Sequence, residues 1–364
     1  MRVLVVNAGS SSLKLRLLGH DDAVLGSRDL PALSDQAPSE LADAIAALGA
    51  ADAVGHRVVH GGTRFVAPAR VDDELIEALE ALEDLAPLHQ PPALAALRTV
   101  RVALPHLPAI ACFDTAFHAT LPPAASTYAL PEAWRERWPL RRFGFHGLSH
   151  AHAARRAAEL AGGRLDELRI VTCHLGAGAS LAAVAGGRSV DTTMGFTPLE
   201  GLVMATRSGS LDPGLVLWLI EHGGIEASEL GAALERESGL LALAGTADMK
   251  AVLAAEAEGS SRAQLAVGVV LHRLRGCVAS MAASMGGLDV LVFTGGVGER
   301  APSLRQRAAD GLGFLGVAVD PGLNEAGPSD REIGPASAQV RTFVVEARED
   351  LEIARGTREA LGSD

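Results

Sequence analysis

Short apolar runs and small polar residues alternate at the start of the chain and predict a pair of β-strands. Residues 3–6 are valine and leucine, residues 7–12 are mostly small and polar, and leucines then alternate with charged residues from 13 to 17. An apolar run predicts a buried strand, and strict alternation predicts a strand with one polar face. The pattern returns at residues 169–184, where His174 follows Asn7 by 167 residues. This spacing predicts a duplicated half.

Glycine-rich segments follow three of the predicted strands, the third being an apolar run at residues 290–293. Apolar positions three or four residues apart predict helices between the strands, at 72–85, 151–160, 213–220 and 261–285. Strands that alternate with helices predict an α/β fold. We expect an N-terminal domain over residues 1–153 and a C-terminal domain over residues 163–348. The last predicted helix, 349–364, can pack on the first domain.

The size and composition fit a folded protein of two domains. The chain has 364 residues, of which 48% are apolar and 21% charged, and these proportions are typical of globular proteins. At about 150 residues per domain, this length predicts two domains, each with its own core.

The charge and the cysteines limit the classes of partner. With 44 acidic and 32 basic residues, the net charge is −12, which repels nucleic acid and anionic membranes. Three cysteines without CxxC spacing, Cys112, Cys173 and Cys277, predict buried thiols in the cytoplasm rather than disulfides or a zinc site. No apolar run reaches about 18 residues, and the run at residues 3–6 is too short for a signal peptide.

The glycine-rich segments suggest phosphate binding. Residues 7–14 combine a Gly/Ser turn, whose backbone N–H groups can face a phosphate, with Lys14 as a point charge. The spacing of a P-loop is absent, and one such segment by itself is more typical of an ordinary hairpin turn. Three such segments, at residues 7–12, 174–178 and 295–299, are better explained by a nucleotide bound by two duplicated domains.

Four further segments group arginine, histidine and aspartate near glycines. They are residues 55–62, 112–118, 141–150 and 204–213. A single histidine or aspartate in such a segment is usually a hydrogen-bonded structural group, and Arg207 can be a surface arginine. Their grouping favours a site for anions. Asp212 followed by Pro213 predicts the beginning of a helix.

Seven co-linear motifs carry a resemblance to a known family. They are VNAGSSSLK at 6–14, GHRVVHGG at 55–62, FDTAFH at 113–118, GFHGLSH at 144–150, CHLGAGAS at 173–180, DTTMGFTPLEGLVMATRSG at 191–209 and FTGGVGE at 293–299. In these motifs the chain resembles the acetate/propionate kinase family over almost its whole length.

The resemblance implies a fold, a reaction and an assembly. The fold is the duplicated actin-like ATPase fold of sugar kinases, heat-shock chaperone ATPases and actin, with two domains flanking a nucleotide cleft. The reaction is a reversible, direct in-line transfer of the ATP γ-phosphoryl group to acetate, giving acetyl phosphate and ADP. It requires Mg²⁺, for which Mn²⁺ can substitute. The expected assembly is a cytoplasmic homodimer built largely by the C-terminal domain.

The resemblance also implies site residues, matched position by position. The catalytic group is Asp114, His146 and Arg207. The substrate-binding group is Arg57, Val59, Leu88, Phe145 and Pro198. The metal ligands are Asn7 and Glu349. The ATP-binding group is Lys14, His174, Leu175, Gly176, Ala177, Gly178, Asp248, Met249, Lys250, Gly296, Val297, Gly298, Glu299 and Arg300.

Three departures from the family pattern stand out. Ala177 occupies a position where the family usually has asparagine, so that one side-chain donor near the phosphates is missing. Arg300 replaces another asparagine, beside the expected adenosine pocket. The segment between Leu18 and Gly55 is shorter than usual and lies outside every motif, and we expect it to shorten a peripheral excursion.

The acidity of the acceptor bears on the role of Asp114. A short-chain carboxylic acid ionises at a pH similar to Glu, near 4.3, so the nucleophile needs no base at neutral pH. We therefore interpret Asp114 as a residue that orients an arginine or a metal-bound water, although the family role is often described as proton donor and acceptor.

Two alternatives remain at this point. The chain can be a propionate kinase, or a kinase for another short-chain carboxylate, of the same family. It can also be a non-enzymatic ATPase module like actin or the chaperones, since folds are shared between functions. A chaperone of that type needs an appended peptide-binding domain, for which 364 residues leave no room.

Overall fold

Two six-stranded mixed sheets form the framework of the protein. The computed structural model describes residues 1–9, 12–31, 38–87, 89–325, 327 and 330–362. Its contacts divide the chain into a first unit, made of Met1–Ala119, Phe145–His152 and Arg348–Asp364, and a second unit, made of Thr120–Gly144 and Ala153–Ala347.

The first sheet has the order β3-β2-β1-β4-β6-β5. Strands β1, β4 and β6 are parallel, and the other neighbours are antiparallel. Its strands are β1 (Val3–Ala8), β2 (Ser12–Leu18), β3 (Val24–Pro31), β4 (Ala53–Val58), β5 (Ala69–Arg70) and β6 (Ala109–Phe113).

The second sheet repeats this topology strand for strand, in the order β9-β8-β7-β10-β12-β11. Strands β7, β10 and β12 are the parallel ones. Its strands are β7 (Arg169–Leu175), β8 (Ala179–Ala185), β9 (Arg188–Thr192), β10 (Val290–Thr294), β11 (Arg331–Glu332) and β12 (Arg341–Val344). The predicted duplication is confirmed.

Helices connect the strands. Those of the first half and its border are α1 (Pro38–Leu48), α2 (Asp73–Glu80), α3 (Gln90–Ala103), α4 (Pro123–Ser126), α5 (Glu132–Arg137) and α6 (Gly147–Ala161). The remaining helices are α7 (Pro213–Glu221), α8 (Ala227–Arg236), α9 (Gly239–Ala244), α10 (Met249–Ala257), α11 (Ser261–Ser284), α12 (Gly295–Arg300), α13 (Pro302–Asp310), α14 (Pro321–Glu325) and α15 (Glu349–Gly362). As predicted, Asp212 caps α7, and its carboxylate accepts a hydrogen bond from the Gly214 amide at 2.8 Å.

Two helices cover opposite faces of the first sheet. Along β1, Leu4 and Val6 pack in one cluster with residues of α3, whereas Val3 and Val5 pack in another with residues of α15. Successive side chains of a strand point to opposite faces, so the sheet lies between α3 and α15. This is the layered arrangement that the alternation of strands and helices predicts.

Helix α15 approaches the first sheet closely at Gly55. A Cβ atom on Gly55 would overlap the Thr357 hydroxyl and would lie 2.6 Å from Cγ2 of Ile353. Glycine in a strand commonly marks such a close approach. The C-terminal helix is therefore part of the first unit. The sequence alone left open on which domain this helix packs.

The boundary of the units differs from the expected one at residues 120–144, which group with the second unit rather than with the N-terminal domain. Backbone hydrogen bonds explain the difference, because the amides of Phe143 and Gly144 donate to the carbonyl oxygen of Gly195, at 3.0 and 3.3 Å. The Thr120 hydroxyl also donates to the carbonyl oxygen of Ser189 at 2.9 Å. No sequence pattern predicts these contacts.

Helix α11 is long and apolar enough to cross a membrane by length and composition, and α8 with α9 and α10 passes the same test as a bent pair. One side of α11 is buried, including Ala266, Val267, Leu274 and Val278, and the helix contacts β7, β8 and β9. A core helix of a folded domain has the same features, so this helix is weak evidence for a membrane span.

The three thiols are unpaired. Cys112 and Cys173 are buried as predicted, whereas Cys277 is half-buried on α11.

Candidate active site

Three predicted site residues lie where parallel strands of the first sheet end. The register pairs Val6 of β1 with His56 of β4, so Asn7 and Arg57 lie level with each other. Arg57 in turn pairs with Cys112 of β6, two residues before Asp114. The carboxyl ends of parallel strands are the usual place for ligands in α/β sheets. The fold thus brings together residues that are 50 and 57 positions apart.

Hydrogen bonds join these residues to Glu349 at the start of α15. The Arg57 guanidinium donates from Nη2 to Asp114 Oδ2 at 2.6 Å and from Nε to both Asp114 oxygens at 3.2 Å. Its Nη1 donates to Asn7 Oδ1 at 3.3 Å, and Asn7 Nδ2 donates to Glu349 Oε2 at 2.7 Å. We call these four residues the Arg57 cluster.

Burial dominates the electrostatics of the cluster. Burial raises the pKa of Asp114, and the guanidinium of Arg57 opposes that rise. Burial also acts to lower the pKa of Arg57, but the Asp114 and Glu349 carboxylates outweigh it and hold that pKa above its usual range. Arg57 therefore stays cationic, and its buried charge is balanced by a carboxylate in bidentate contact.

His146 lies beside the same carboxylate in an unusual backbone conformation. Its φ is +56°, in the left-handed region, which non-glycine residues rarely adopt outside special sites. Its backbone N–H donates to the Asp114 carboxylate. The next residue, Gly147, donates its N–H to the Asp114 carbonyl oxygen at 3.0 Å, and a Cβ there would overlap that oxygen. Asp114 thus fixes the backbone that carries the His146 imidazole.

The predicted apolar pocket residues are divided between the units. Val59 and Phe145 are buried in the first unit, and Pro198 is half-buried in the second. Leu88 lies outside the described residues. His60 and Gln90, to which the sequence assigned no role, support this region: the His60 ring meets the Phe145 ring edge-on at 5.4 Å.

Gln90 bonds both backbone groups of His60. It accepts from the His60 amide at 3.2 Å and donates to the His60 carbonyl oxygen at 3.1 Å. The repeated histidines of residues 55–62 were the available signal for His60. Nothing in the sequence singled out Gln90.

Arg207 belongs to the second unit and is held by a backbone oxygen. Its Nη1 donates to the Pro198 carbonyl oxygen at 2.7 Å. Burial lowers the pKa of Arg207, and the nearby charge of Glu235 acts in the other direction. Arg207 is half-buried rather than exposed, and its catalytic role stays a prediction.

A cavity of about 210 Å³ in the second unit is lined in part by residues of the predicted ATP-binding group. The predicted residues that line it are Leu175, Gly176, Ala177, Asp248, Met249 and Val297. Those that do not are Lys14, His174, Gly178, Lys250, Gly296, Gly298, Glu299 and Arg300. We call this space the second-unit cavity.

Its inner wall is apolar and was not predicted. The lining residues that sequence reasoning missed are Ala179, Leu202, Val203, Met204, Ala205, Leu240, Ala247, Val270, Leu274 and Leu304. They lie on a strand, on three helices and in the segments between elements, so only the three-dimensional arrangement distinguishes them from core residues. The glycine-rich residues 296–300 lie in the helix α12 rather than in a loop. Lys14 lies on the second predicted strand, β2, where it is exposed and opposite Asn7 of β1.

The proposed metal ligands offer a suitable set of donors. Asn7 and Glu349 supply an amide oxygen and a carboxylate, and the two side chains are in contact. Mg²⁺ prefers oxygen ligands and is commonly held by one or two carboxylates together with water and substrate phosphates. Among the described residues, no group of three or more His, Cys, Asp or Glu forms a self-sufficient metal site. The residues present therefore fit a metal ion that arrives with a phosphate ligand.

Known proteins resemble the chain over most of its length. The model of the acetokinase family matches residues 33–355. An acetate kinase from Synechococcus sp. (strain JA-2-3B'a(2-13)) is 50% identical over 309 residues, covering 85% of this chain and 76% of that protein. An acetate kinase from Shouchella clausii is 40% identical, covering 98% of both chains.

Solved structures are similar over the whole chain. The acetate kinase of Porphyromonas gingivalis has a TM-score of 0.90 at 34% identity and covers 99% of both chains. A propionate kinase from Francisella tularensis has a TM-score of 0.91 at 33% identity, covering 98% of this chain and 99% of that one.

Proposed function

The chain belongs to the acetokinase family, and we propose that it transfers the γ-phosphoryl group of ATP reversibly to acetate, giving acetyl phosphate and ADP. The observation that carries the proposal is the Arg57 cluster, a buried, charge-balanced guanidinium at the ends of three strands. Phosphoryl transfer needs alignment and charge neutralisation rather than covalent chemistry from the protein. A fixed arginine fork supplies both.

The roles of the protein side chains follow from their contacts. Arg57 and Arg207 bind the carboxylate and the phosphoryl group with N–H forks, and the imidazole of His146 donates a hydrogen bond to the phosphoryl group in transfer. Asp114 orients Arg57 and, through the backbone amide, His146. The acetate nucleophile is ionised at neutral pH, so no step requires Asp114 to take a proton.

The nucleotide is proposed to bind in the second unit. The second-unit cavity takes the adenosine, the glycine-rich residues 174–178 and 296–300 face the phosphates, and Asp248–Lys250 begin α10 beside the cavity. Lys14 is proposed to contact the outer phosphates. We also propose that the protein is cytoplasmic, since it uses ATP as co-substrate.

A divalent cation, Mg²⁺ or in its place Mn²⁺, is proposed to be held by Asn7 and Glu349, where it neutralises charge on the ATP phosphates. We predict that Glu349→Ala raises the Mg²⁺ concentration needed for half-maximal activity, because a carboxylate ligand is removed. Glu359→Ala, an exposed position on the same helix, is the control. Initial rates measured at varied Mg²⁺ concentration test this prediction. If both variants and the parent need the same Mg²⁺ concentration for half-maximal activity, Glu349 is not a metal ligand.

The alternative acceptor is propionate, which the similarity to the Francisella tularensis structure favours. The experiment that separates the two readings is ADP release from Mg-ATP with formate, acetate, propionate and butyrate. We expect the highest kcat/KM with acetate. A preference for propionate would reassign the chain within the family, and no release with any acid would reject the function.

Val59 is predicted to set the size of the acceptor. If the buried side chains of Val59 and Phe145 line the acceptor pocket, they restrict the space beside the methyl group of acetate. An apolar pocket discriminates one methylene by about 1 to 3 kcal/mol. We expect acetate to exceed propionate by about ten- to a hundredfold in kcat/KM. Val59→Ala should narrow or invert this ratio while the KM for ATP stays near the parent value. An unchanged ratio would show that Val59 does not line the pocket.

Ala177 provides a gain-of-function prediction. Its side chain is exposed, and its carbonyl oxygen accepts from the Ala205 amide at 3.0 Å. If an asparagine donor is what this position lacks, Ala177→Asn adds a charge-assisted hydrogen bond of roughly 1.5 to 3 kcal/mol, at most about 10- to 150-fold in kcat or in the KM for ATP. Steady-state kinetics measure it. No gain would show that another group already contacts the phosphates.

We also propose that the protein is a homodimer, formed by exposed apolar residues of the second unit. Leu211, Leu215, Leu217, Trp218 and Ile220 are all exposed on or beside α7, as are Leu265 and Phe314 elsewhere in the unit. Exposed apolar patches of this kind mark interaction surfaces. Light scattering should give about 75 kDa, twice the chain mass of 37.6 kDa. A monomer at micromolar concentration would reject the dimer.

A further inference from the structure

A charged network of the second unit surrounds the turn at residues 195–198. The Glu200 carboxylate accepts from Arg142 Nη2 at 2.8 Å through one oxygen and from the Tyr128 hydroxyl at 2.9 Å through the other. Arg142 Nη1 also donates to the carbonyl oxygens of Thr193 and Met194, at 3.2 and 3.1 Å. Both Glu200 oxygens are therefore engaged by side chains from the segment 120–144.

The network bonds directly to the backbone of the turn. The Phe196 amide donates to the Tyr128 hydroxyl oxygen at 2.9 Å, so this hydroxyl both receives and gives a hydrogen bond. A Cβ on Gly195 would overlap the Glu200 carboxylate and the Tyr128 hydroxyl. The turn thus fits against the carboxylate with no space for a side chain, and its position follows that of Glu200.

The same turn ends at Pro198, whose carbonyl oxygen accepts a hydrogen bond from Arg207 Nη1 at 2.7 Å. The backbone of Arg207 is fixed separately, because its carbonyl oxygen accepts from the Met204 amide at 3.1 Å and a Cβ on Gly239 would overlap or crowd this segment. The direction of the guanidinium therefore depends on where the turn places Pro198.

We propose that Glu200 is a positioning residue for Arg207: held between Tyr128 and Arg142, it fixes the turn whose Pro198 carbonyl oxygen directs the Arg207 guanidinium toward its ligand. The inference rests on the proposed function of Arg207 as a ligand of the transferred group. The ion pair of Arg142 with Glu200, whose side chain is 37% exposed, contributes little to stability by itself. The link from Glu200 through the Tyr128 hydroxyl to the Phe196 amide therefore matters for geometry rather than for folding. Burial raises the pKa of Tyr128 to about 12, so its hydroxyl keeps its proton and its donor role at neutral pH.

The test compares Glu200→Ala with a matched control in the same unit. Both oxygens of Glu332 are likewise engaged, in this case by one arginine, Arg341, at 2.6 and 2.8 Å, and the exposure of this carboxylate is similar to that of Glu200. We expect Glu200→Ala to lower kcat with acetate about ten- to a hundredfold, the cost of a displacement near 1 Å, with the KM for ATP within about threefold. Glu332→Ala should leave kcat within about twofold of the parent.

Two further measurements separate positioning from a general loss of structure. In an Arg207→Ala background, Glu200→Ala should cost about twofold or less, because residues that act through one another are not additive. A full additional loss there would overturn the proposal. Tyr128→Phe removes a single hydroxyl and no charge, and it replaces Glu200→Ala if that variant does not fold. We expect a smaller loss of kcat for it, of about three- to tenfold.

A signal independent of activity completes the test. In protein labelled with ¹⁵N-arginine, the Nε–H resonance of Arg207 is assigned as the one that is present in the spectrum of the parent and absent from that of Arg207→Lys. It should shift in Glu200→Ala or Tyr128→Phe but not in Glu332→Ala, and an unchanged resonance would overturn the inference. If the parent releases no ADP with any carboxylate, the proposed function fails, and this resonance still decides whether Glu200 positions Arg207.

Discussion

Replacing Arg57 by lysine is expected to lower kcat/KM for acetate by about a hundredfold or more, although the charge is retained. The guanidinium bonds Asp114 through Nε and Nη2 and Asn7 through Nη1. A lysine ammonium is a compact point charge and cannot reach all three positions in one plane. Arg207→Lys should show a comparable loss. Initial-rate kinetics with varied acetate measure both.

The control is an arginine of the first unit that pairs with an aspartate on the surface. Arg101 donates to Asp73 at 2.6 Å with an exposed side chain. Arg101→Lys should retain activity within about twofold, since exposed pairs are worth little. If Arg57→Lys behaves like Arg101→Lys, the fork has no role in binding the substrate.

Removing the counter-ion is expected to have the second large effect. Asp114→Ala leaves the buried Arg57 charge without its bidentate partner, and breaking a buried pair typically costs about 3 to 5 kcal/mol of the free energy of unfolding. Urea unfolding should show this loss, together with a fall of kcat of about a hundredfold or more as Arg57 and His146 lose their common anchor. The surface partner Asp73→Ala should cost at most about 1 kcal/mol.

A milder variant separates orientation from proton transfer. Asp114→Asn keeps an oxygen that accepts from Arg57 and from the His146 amide but cannot exchange a proton. We expect it to be slower than the parent and more active than Asp114→Ala, with an unchanged shape of the kcat/KM profile against pH. Loss of one limb of that profile in the asparagine variant would instead establish Asp114 as a proton donor and acceptor.

Local patterns predicted the framework because each strand and turn is specified by neighbouring residues. The predicted apolar runs form β1, β7 and β10. Gly186 and Gly187, both with positive φ, form the turn between β8 and β9, because glycine pairs favour such tight hairpin turns. The pattern of strand, glycine-rich turn and strand at Asn7 returns 167 residues later at His174. This recurrence predicts the duplication without any knowledge of tertiary contacts.

Long-range contacts were beyond these patterns. The grouping of residues 120–144 with the second unit depends on Gly195 and Ser189, tens of residues away. The apolar side chains that the sequence did not single out in the second-unit cavity come from separate parts of the chain, and those on α11, Val270 and Leu274, have the spacing of any buried helix. Motifs identify chemical groups such as Arg57, and one of them includes Glu200. No local pattern shows that Glu200 contacts Tyr128 and Arg142, which are 72 and 58 residues away.

The packing of α15 against Gly55 has a consequence for the order of folding during synthesis. Residues 348–364 follow the whole of the second unit in the chain, yet they complete the first. Until they emerge from the ribosome, Val3, Val5 and Ile110 lack their partners Ile353 and Ala354, and Asn7 lacks Glu349. The nascent first unit therefore presents an apolar sheet face while the second unit is translated, and it acquires both its last layer and its full set of charges only after the second unit has been made.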